Sequence, residues 1–308
     1  MKNFLFKISF YIIGIIAMLL FLGTYADGNT DDNYLHFTGP KPSDMIMGDS
    51  RGSQAVIPNV LDDKLKGREF NNFSLNITES PYGQIYFEAI KKKLNPDTKD
   101  GIFILTVDPW NLSMDKNVKE AKDLSENTSA LADMYFYDIK PNYEYLLKHY
   151  PETWFNIYRD REAAARSSTY LHQNGWMEVN VNVEPDTLKK RQDRKVADYI
   201  EFVKSQKISQ YRLDAFEDII DYLKTKGTVY IVRIPGFKGI MEIENKYSPD
   251  FSKRIESIAQ KKGVKFFDFS QQYGQYIFTD GNHMYKESGK VFTAQIADSI
   301  LLDKKKMK

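Results

Sequence analysis

The run Gly101-Ile-Phe-Ile-Leu-Thr-Val107 is apolar from end to end, and it limits the possible folds more than any other stretch of the chain. A strand with one face in water alternates polar and apolar residues, whereas a strand covered on both faces need not. Thr228-Val-Tyr-Ile-Val-Arg-Ile234 is equally clear, and shorter runs at Asp44–Met47, Phe70–Leu75 and Val264–Phe269 read the same way. Helical patterns lie between them. Tyr86, Ile90 and Leu94 share one face, and Phe216, Ile219, Ile220 and Leu223 recur at i, i+3, i+4 and i+7. Ser248-Pro249 reads as an N-cap with proline at the first helical position, opening a helix that buries Phe251, Ile255 and Ile258. A last helix over Ser288–Leu302 buries Phe292, Ile296 and Ile300. Such alternation predicts an α/β domain over residues 44–308, built on a doubly wound, largely parallel sheet.

One stretch breaks the rhythm. Residues 112–208 stand where a single crossover helix would do, and they carry an aromatic cluster from Tyr135 to Tyr158. This predicts a helical insertion on the rim of the sheet. Its aromatics read first as local core, and second as a sugar-stacking or membrane-partner surface.

Ile8–Ala26 contains no charged residue and is long enough to span a bilayer as a helix. Lys2 and Lys7 precede it, while Asp27, Asp31 and Asp32 follow. The positive-inside rule then keeps the basic end in the cytoplasm and exports the body to the periplasm or cell surface. The expected organisation is an anchor over 1–26, a polar linker over 27–43, and the α/β domain. A cleaved signal at Thr24-Tyr25-Ala26 is the alternative, and would leave a secreted protein.

Charge and composition remove other classes. The 43 Lys+Arg against 42 Asp+Glu leave a net charge of +1, which argues against a surface built to grip nucleic acid. With no cysteine, disulfides, thiolate metal sites, a cysteine nucleophile and a lipoprotein anchor are all excluded. The 4 histidines are scattered, with no metalloprotease spacing, Asp-rich calcium loop or Gly-rich phosphate loop. No metal and no cofactor are expected.

Two motifs carry chemistry. Gly48-Asp49-Ser50 follows the first strand, where open α/β sheets gather their reactive groups. Glycine allows a tight strand-to-helix turn, and the serine hydroxyl then sits at a helix N-terminus that favours an oxyanion. Asp280-Gly-Asn-His283 lies between the last strand and the last helix. Its D-x-x-H spacing lets the carboxylate accept from one ring nitrogen and leaves the other free to deprotonate a hydroxyl. A serine needs such a base.

Together, Gly48-Asp49-Ser50 near the start and Asp280-x-x-His283 near the end resemble the first and last blocks of the SGNH (GDSL-type) hydrolases. The resemblance implies a flavodoxin-like α/β/α fold and a triad of Ser50 as nucleophile, His283 as general base and Asp280 as orienting acid. It implies oxyanion donors at Ser50, at Asn76 or Gly83 after the second strand, and at Asn111 in Val107-Asp-Pro-Trp-Asn111. The chain departs from the family pattern in three places. Arg51 replaces the leucine after the serine, the second-block glycine has no clear counterpart, and the third block is altered. The pattern of anchor and intact ends is also similar to envelope members such as the teichoic acid D-alanine transfer protein and the alginate acetylation proteins. Those work beside membrane-bound O-acyltransferases.

The expected function is therefore an esterase, deacetylase or O-acyltransferase acting on an acylated envelope glycan or small ester through an acyl-serine. Asp49, Arg51, Trp110 and Arg233 are its candidate substrate-binding residues. A non-catalytic glycan-binding or scaffolding protein of the same fold is the alternative.

Overall fold

The computed structural model describes residues 1–161 and 168–306. An apolar helix, α1 (Lys2–Gly23), leads into a central sheet of five parallel strands in the order β2-β1-β3-β4-β5. These are β1 (Asp44–Met47), β2 (Phe70–Asn72), β3 (Gly101–Val107), β4 (Gly227–Arg233) and β5 (Lys265–Asp268). This is the strand order of flavodoxin-like doubly wound sheets, with the switch point between β1 and β3. The register pairs Ile46 with Ile104, and Ile104 with Tyr230.

The unbroken apolar runs have the expected cause. Met45, Met47, Phe103, Leu105, Val229 and Ile231 point into one core, while Ile46, Ile102, Ile104, Tyr230 and Val232 point into another on the opposite face. Helices α2 (Ser50–Ala55) and α3 (Pro58–Lys64) cover the second face. The first is covered by α4 (Gln84–Lys93), which buries Tyr86 and Ile90. Further along the chain come α5 (Pro185–Ser205), α6 (Gln210–Lys224), α7 (Lys238–Tyr247), α8 (Phe251–Lys262) and α9 (Lys286–Lys306). On the first face α6 adds Phe216, Ile219, Ile220 and Leu223, and α8 adds Phe251, Ile255 and Ile258. On the second, α9 supplies Phe292, Ile296 and Ile300.

Three expectations are corrected. The helix after β4 does not begin at Ser248-Pro249: α7 ends there, with the Ser248 N–H still bonded to Glu244 O, and Asp250 precedes the start of α8. Residues 27–43 are no free linker, because Tyr34, Leu35 and Phe37 are buried in the first core, with Phe37 stacked on Tyr145. The insertion is not wholly helical. Ser113–Asp115 pairs antiparallel with Gln206–Ile208 and closes its neck. Thr169–Leu171 pairs with Met177–Val179 in a second ribbon. Short helices at Tyr143–Lys148 and Trp154–Asp160 dock against α1, where Tyr143 Oη donates to Leu20 O at 2.6 Å.

Candidate active site

β1 ends in Gly48, whose φ of +154° lies outside the range side chains favour. Its Cα passes so close to β3 that a Cβ there would fall 1.8 Å from Thr106 Oγ1. Only glycine permits that approach. Asp49 then caps α2 by accepting the Arg51 N–H at 3.0 Å, and Ser50 occupies the first position of the helix.

The other half of the site comes from the far end of the chain. The loop between β5 and α9 is pinned as a small hairpin by a Phe278–Met284 bridge and the Thr279 N–H to His283 O bond at 2.8 Å. Gly281, at φ +96°, turns the loop and accepts from the Phe237 N–H. Asp280 Oδ1 accepts the backbone N–H groups of both Asn282 and His283 at 2.9 Å, leaving Oδ2 for the imidazole. His283 Nδ1 lies 2.9 Å from that oxygen, and His283 Nε2 lies 2.8 Å from Ser50 Oγ. Ser50 and His283, 233 positions apart in sequence, thus join Asp280 in one continuous Asp–His–Ser hydrogen-bond chain. Burial alone would raise the Asp280 carboxyl. The His283 ring, its hydrogen bond, Lys195 and the backbone donor outweigh that and hold it well below the usual carboxylate range.

The residues read as substrate contacts separate into two groups. Trp110 and Asp49 line a cavity of about 290 Å³ beside Ser50 and His283. Arg51 and Arg233 do not face it. Arg51 is only 2% exposed, so it has no room to meet a ligand. Its Nε donates to Asn282 Oδ1 at 2.8 Å and its Nη2 lies 2.6 Å from Glu244 Oε1. Arg233 Nη2 binds the other Glu244 oxygen at 3.1 Å, and its Nη1 donates to Ser252 Oγ. Both cations are structural centres of a buried network under the site. Burial, then the neighbouring Asp108 carboxylate, pushes the Asp49 carboxyl well above its usual range, where it is hydrogen-bonded to Asp108.

Of the candidate oxyanion donors, the Ser50 N–H stands in the first turn of α2 beside the Ser50 hydroxyl. Asn111 Nδ2 instead donates to Thr106 O at 3.3 Å and its Oδ1 accepts from Asp108 N, so its amide serves the turn after β3. Asn76 is exposed, bonds Glu79, and lines a different, acidic cleft.

Sequence reading missed the side chains that α5 brings from the insertion. Lys195 Nζ lies 3.2 Å from Asp280 Oδ2. Tyr199 and Phe202 pack edge-on against Trp110, with ring centroids at 5.2 and 5.7 Å, and form the cavity's apolar wall together with Ile77. It also missed Asn282, whose Nδ2 lies 3.4 Å from His283 Nε2 while Arg51 fixes its oxygen. Asn282 sits inside the D-x-x-H motif, so that one signal was available.

No family model and no curated protein matches the chain. Among solved structures it is similar to one titled as the inhibitor-bound form of an aryl esterase from M. smegmatis. The two share 11% identity with a TM-score of 0.33, over 83% of this chain and 98% of that one.

Proposed function

We propose that the protein is an extracytoplasmic serine acyl hydrolase of the SGNH type, held at the membrane by α1. The observation that carries this reading is the unbroken chain Asp280 Oδ2–His283–Ser50 Oγ, with contacts of 2.9 and 2.8 Å at the mouth of a cavity. His283 Nε2 takes the Ser50 proton as Oγ attacks the carbonyl carbon of an ester. The Ser50 N–H and the Asn282 amide meet the developing oxyanion. Collapse expels the alcohol, which leaves with the proton from His283, and the acyl group stays on Ser50. A second hydroxyl, deprotonated by the same imidazole, then releases it. The apolar wall of Ile77, Trp110, Tyr199 and Phe202 takes the acyl or aryl part of the substrate.

Water is the acceptor in the primary reading. A glycan hydroxyl, with a membrane-bound O-acyltransferase as partner, is the second, and it is favoured by the way the end of α1 is built into the domain. Labelling with a fluorophosphonate tests the nucleophile: wild type is expected to react and Ser50→Ala to stay blank. An unlabelled wild type would remove the covalent mechanism. Acetate release from acetylated glycan, with and without a membrane fraction, then separates hydrolysis from transfer.

A further inference from the structure

The cluster packed on the end of α1 has one side that, among the described residues, no other part of the protein covers. Tyr143 reaches Leu20 O, and its ring would collide with a Cβ at Gly23, so the helix Tyr143–Lys148 lies directly on the last turn of α1. A ladder of rings continues from there: Phe21 to Tyr25 at 5.2 Å, Tyr25 to Tyr158 at 5.1 Å, and Tyr158 to Phe155 at 6.4 Å. Leu147 follows Tyr143 by one helical turn on the same face. Leu147 is 72% exposed, Phe155 59% and Phe21 57%, and ring contacts join Phe21 to Phe155 in one apolar strip beside the end of α1.

We propose that the helices Tyr143–Lys148 and Trp154–Asp160 lie in the bilayer's interfacial zone, with Leu147 and Phe155 dipping into lipid beside the end of α1. The occupant follows from continuity. If α1 spans the bilayer, lipid covers Phe21 in its last turn, and the ladder of rings runs from Phe21 to Phe155 without a break. The tyrosines and Trp154, half-buried and amphipathic, are the side chains that settle at headgroup depth. Such a second contact removes the rotational freedom that a single helix would leave to the domain. The inference rests on α1 being retained as a span, which belongs to the function proposed above.

The absence of cysteine makes a direct test simple. Single cysteines introduced into the full chain at Leu147, Phe155 and Ile13 are spin-labelled after reconstitution in phosphatidylcholine–phosphatidylglycerol vesicles. Asp63→Cys and Glu256→Cys, on opposite faces of the sheet, serve as exposed references. The ratio of oxygen to nickel-chelate accessibility is expected to be several-fold higher at positions 147 and 155 than at the references, and highest at 13. Reference-like ratios at 147 and 155 with a lipid-like ratio at 13 overturn this inference alone. Labels at 147 and 155 shielded from both reagents place a protein there and overturn it too. A water-like ratio at 13 refutes the span itself, and this proposal with it.

Discussion

Replacing Arg51 with leucine restores the residue that the resembling family carries after its serine, and it should damage this protein in two separable ways. Arg51 is buried and bridges Glu244 at 2.6 Å, Asp108 at 3.6 Å and Asn282 at 2.8 Å. Removing one partner of a buried ion pair costs about 3–5 kcal/mol, chiefly through the stranded charge. Glu244 keeps Arg233 at 3.1 Å and Trp110 Nε1 at 3.2 Å, so the lower end applies, about 3 kcal/mol. For a chain of this size that is a fall of roughly 6 °C in melting temperature. Glu244→Gln strands the two arginines and should cost a similar amount. The double variant removes the principal pair together, so it should be less destabilised than the sum by about 1–3 kcal/mol. The second effect is kinetic. Without the Nε donor the Asn282 amide is free to turn, and fluorophosphonate labelling measured below the transition should slow by about tenfold, equivalent to 1.4 kcal/mol of barrier. Arg51→Lys keeps the charge but loses the fixed Nε–H, so it should recover stability more than labelling rate. Additive single and double variants, or an unchanged labelling rate in the folded Arg51→Leu protein, would refute the argument that Arg51 positions the site.

Other outcomes follow from the same geometry. Asp280→Asn should leave the fold intact and cut the labelling rate on the order of 10³–10⁴-fold, because the ring loses its orienting acceptor; a loss under tenfold in stopped-flow labelling would show that His283 does not depend on it. Tyr199→Ala opens the apolar wall, so kcat/KM across an acyl-chain series should shift toward longer chains by about fourfold per methylene accommodated, or 0.8 kcal/mol each; an unshifted preference would place the acyl group elsewhere. Glu79 has its carboxyl pushed up to about 7 by burial and by Asp31 and Asp32, against donation from Asn33. Because the folded value is the higher one, the stability it supports is complete below about pH 4.3 and lost as pH rises through about 7. Glu79→Gln should therefore gain stability at pH 8, by about 1–2 kcal/mol once solvent access to the half-buried group is allowed for, and gain nothing at pH 4. Denaturant melts at the two pH values read this directly.

The parts legible in the sequence were those set by local pattern. The unbroken apolar runs marked β3 and β4, helical spacing marked the buried faces of α6, α8 and α9, and two short motifs marked Ser50, Asp280 and His283. What was hidden depends on how distant segments meet. Arg51 and Arg233 look like ligand-binding cations in a list of residues. Only Glu244, on a helix the sequence reading omitted, reveals that both are ion-paired inside the protein. Asn111 was a reasonable oxyanion candidate by analogy, but the turn after β3 uses its amide for backbone donors and acceptors. The cavity wall was illegible because α5 has a predominantly polar sequence. Nothing in its spacing says that Tyr199 and Phe202 meet Trp110, which precedes them by the whole length of the insertion.

The insertion also explains how Ser50 and His283, far apart in the sequence, share one environment. Ser50 is fixed by the first strand and His283 by a loop before the last helix, so neither end of the domain encloses the site by itself. The ribbon of Ser113–Asp115 with Gln206–Ile208 closes the insertion at its neck and fixes the C-terminal end of α5. From there α5 runs across the cavity and supplies Tyr199 and Phe202 as its wall and Lys195 as a second cation on Asp280. Lys195 and His283 Nδ1 share the same carboxylate oxygen, at 3.2 and 2.9 Å. Lys195 thus adds to His283 in holding the Asp280 carboxyl below its usual range and in place. The same insertion, through Tyr143 and Tyr158, grips the end of α1. One insertion therefore packs against the end of α1 and also lines the cavity beside Ser50 and His283.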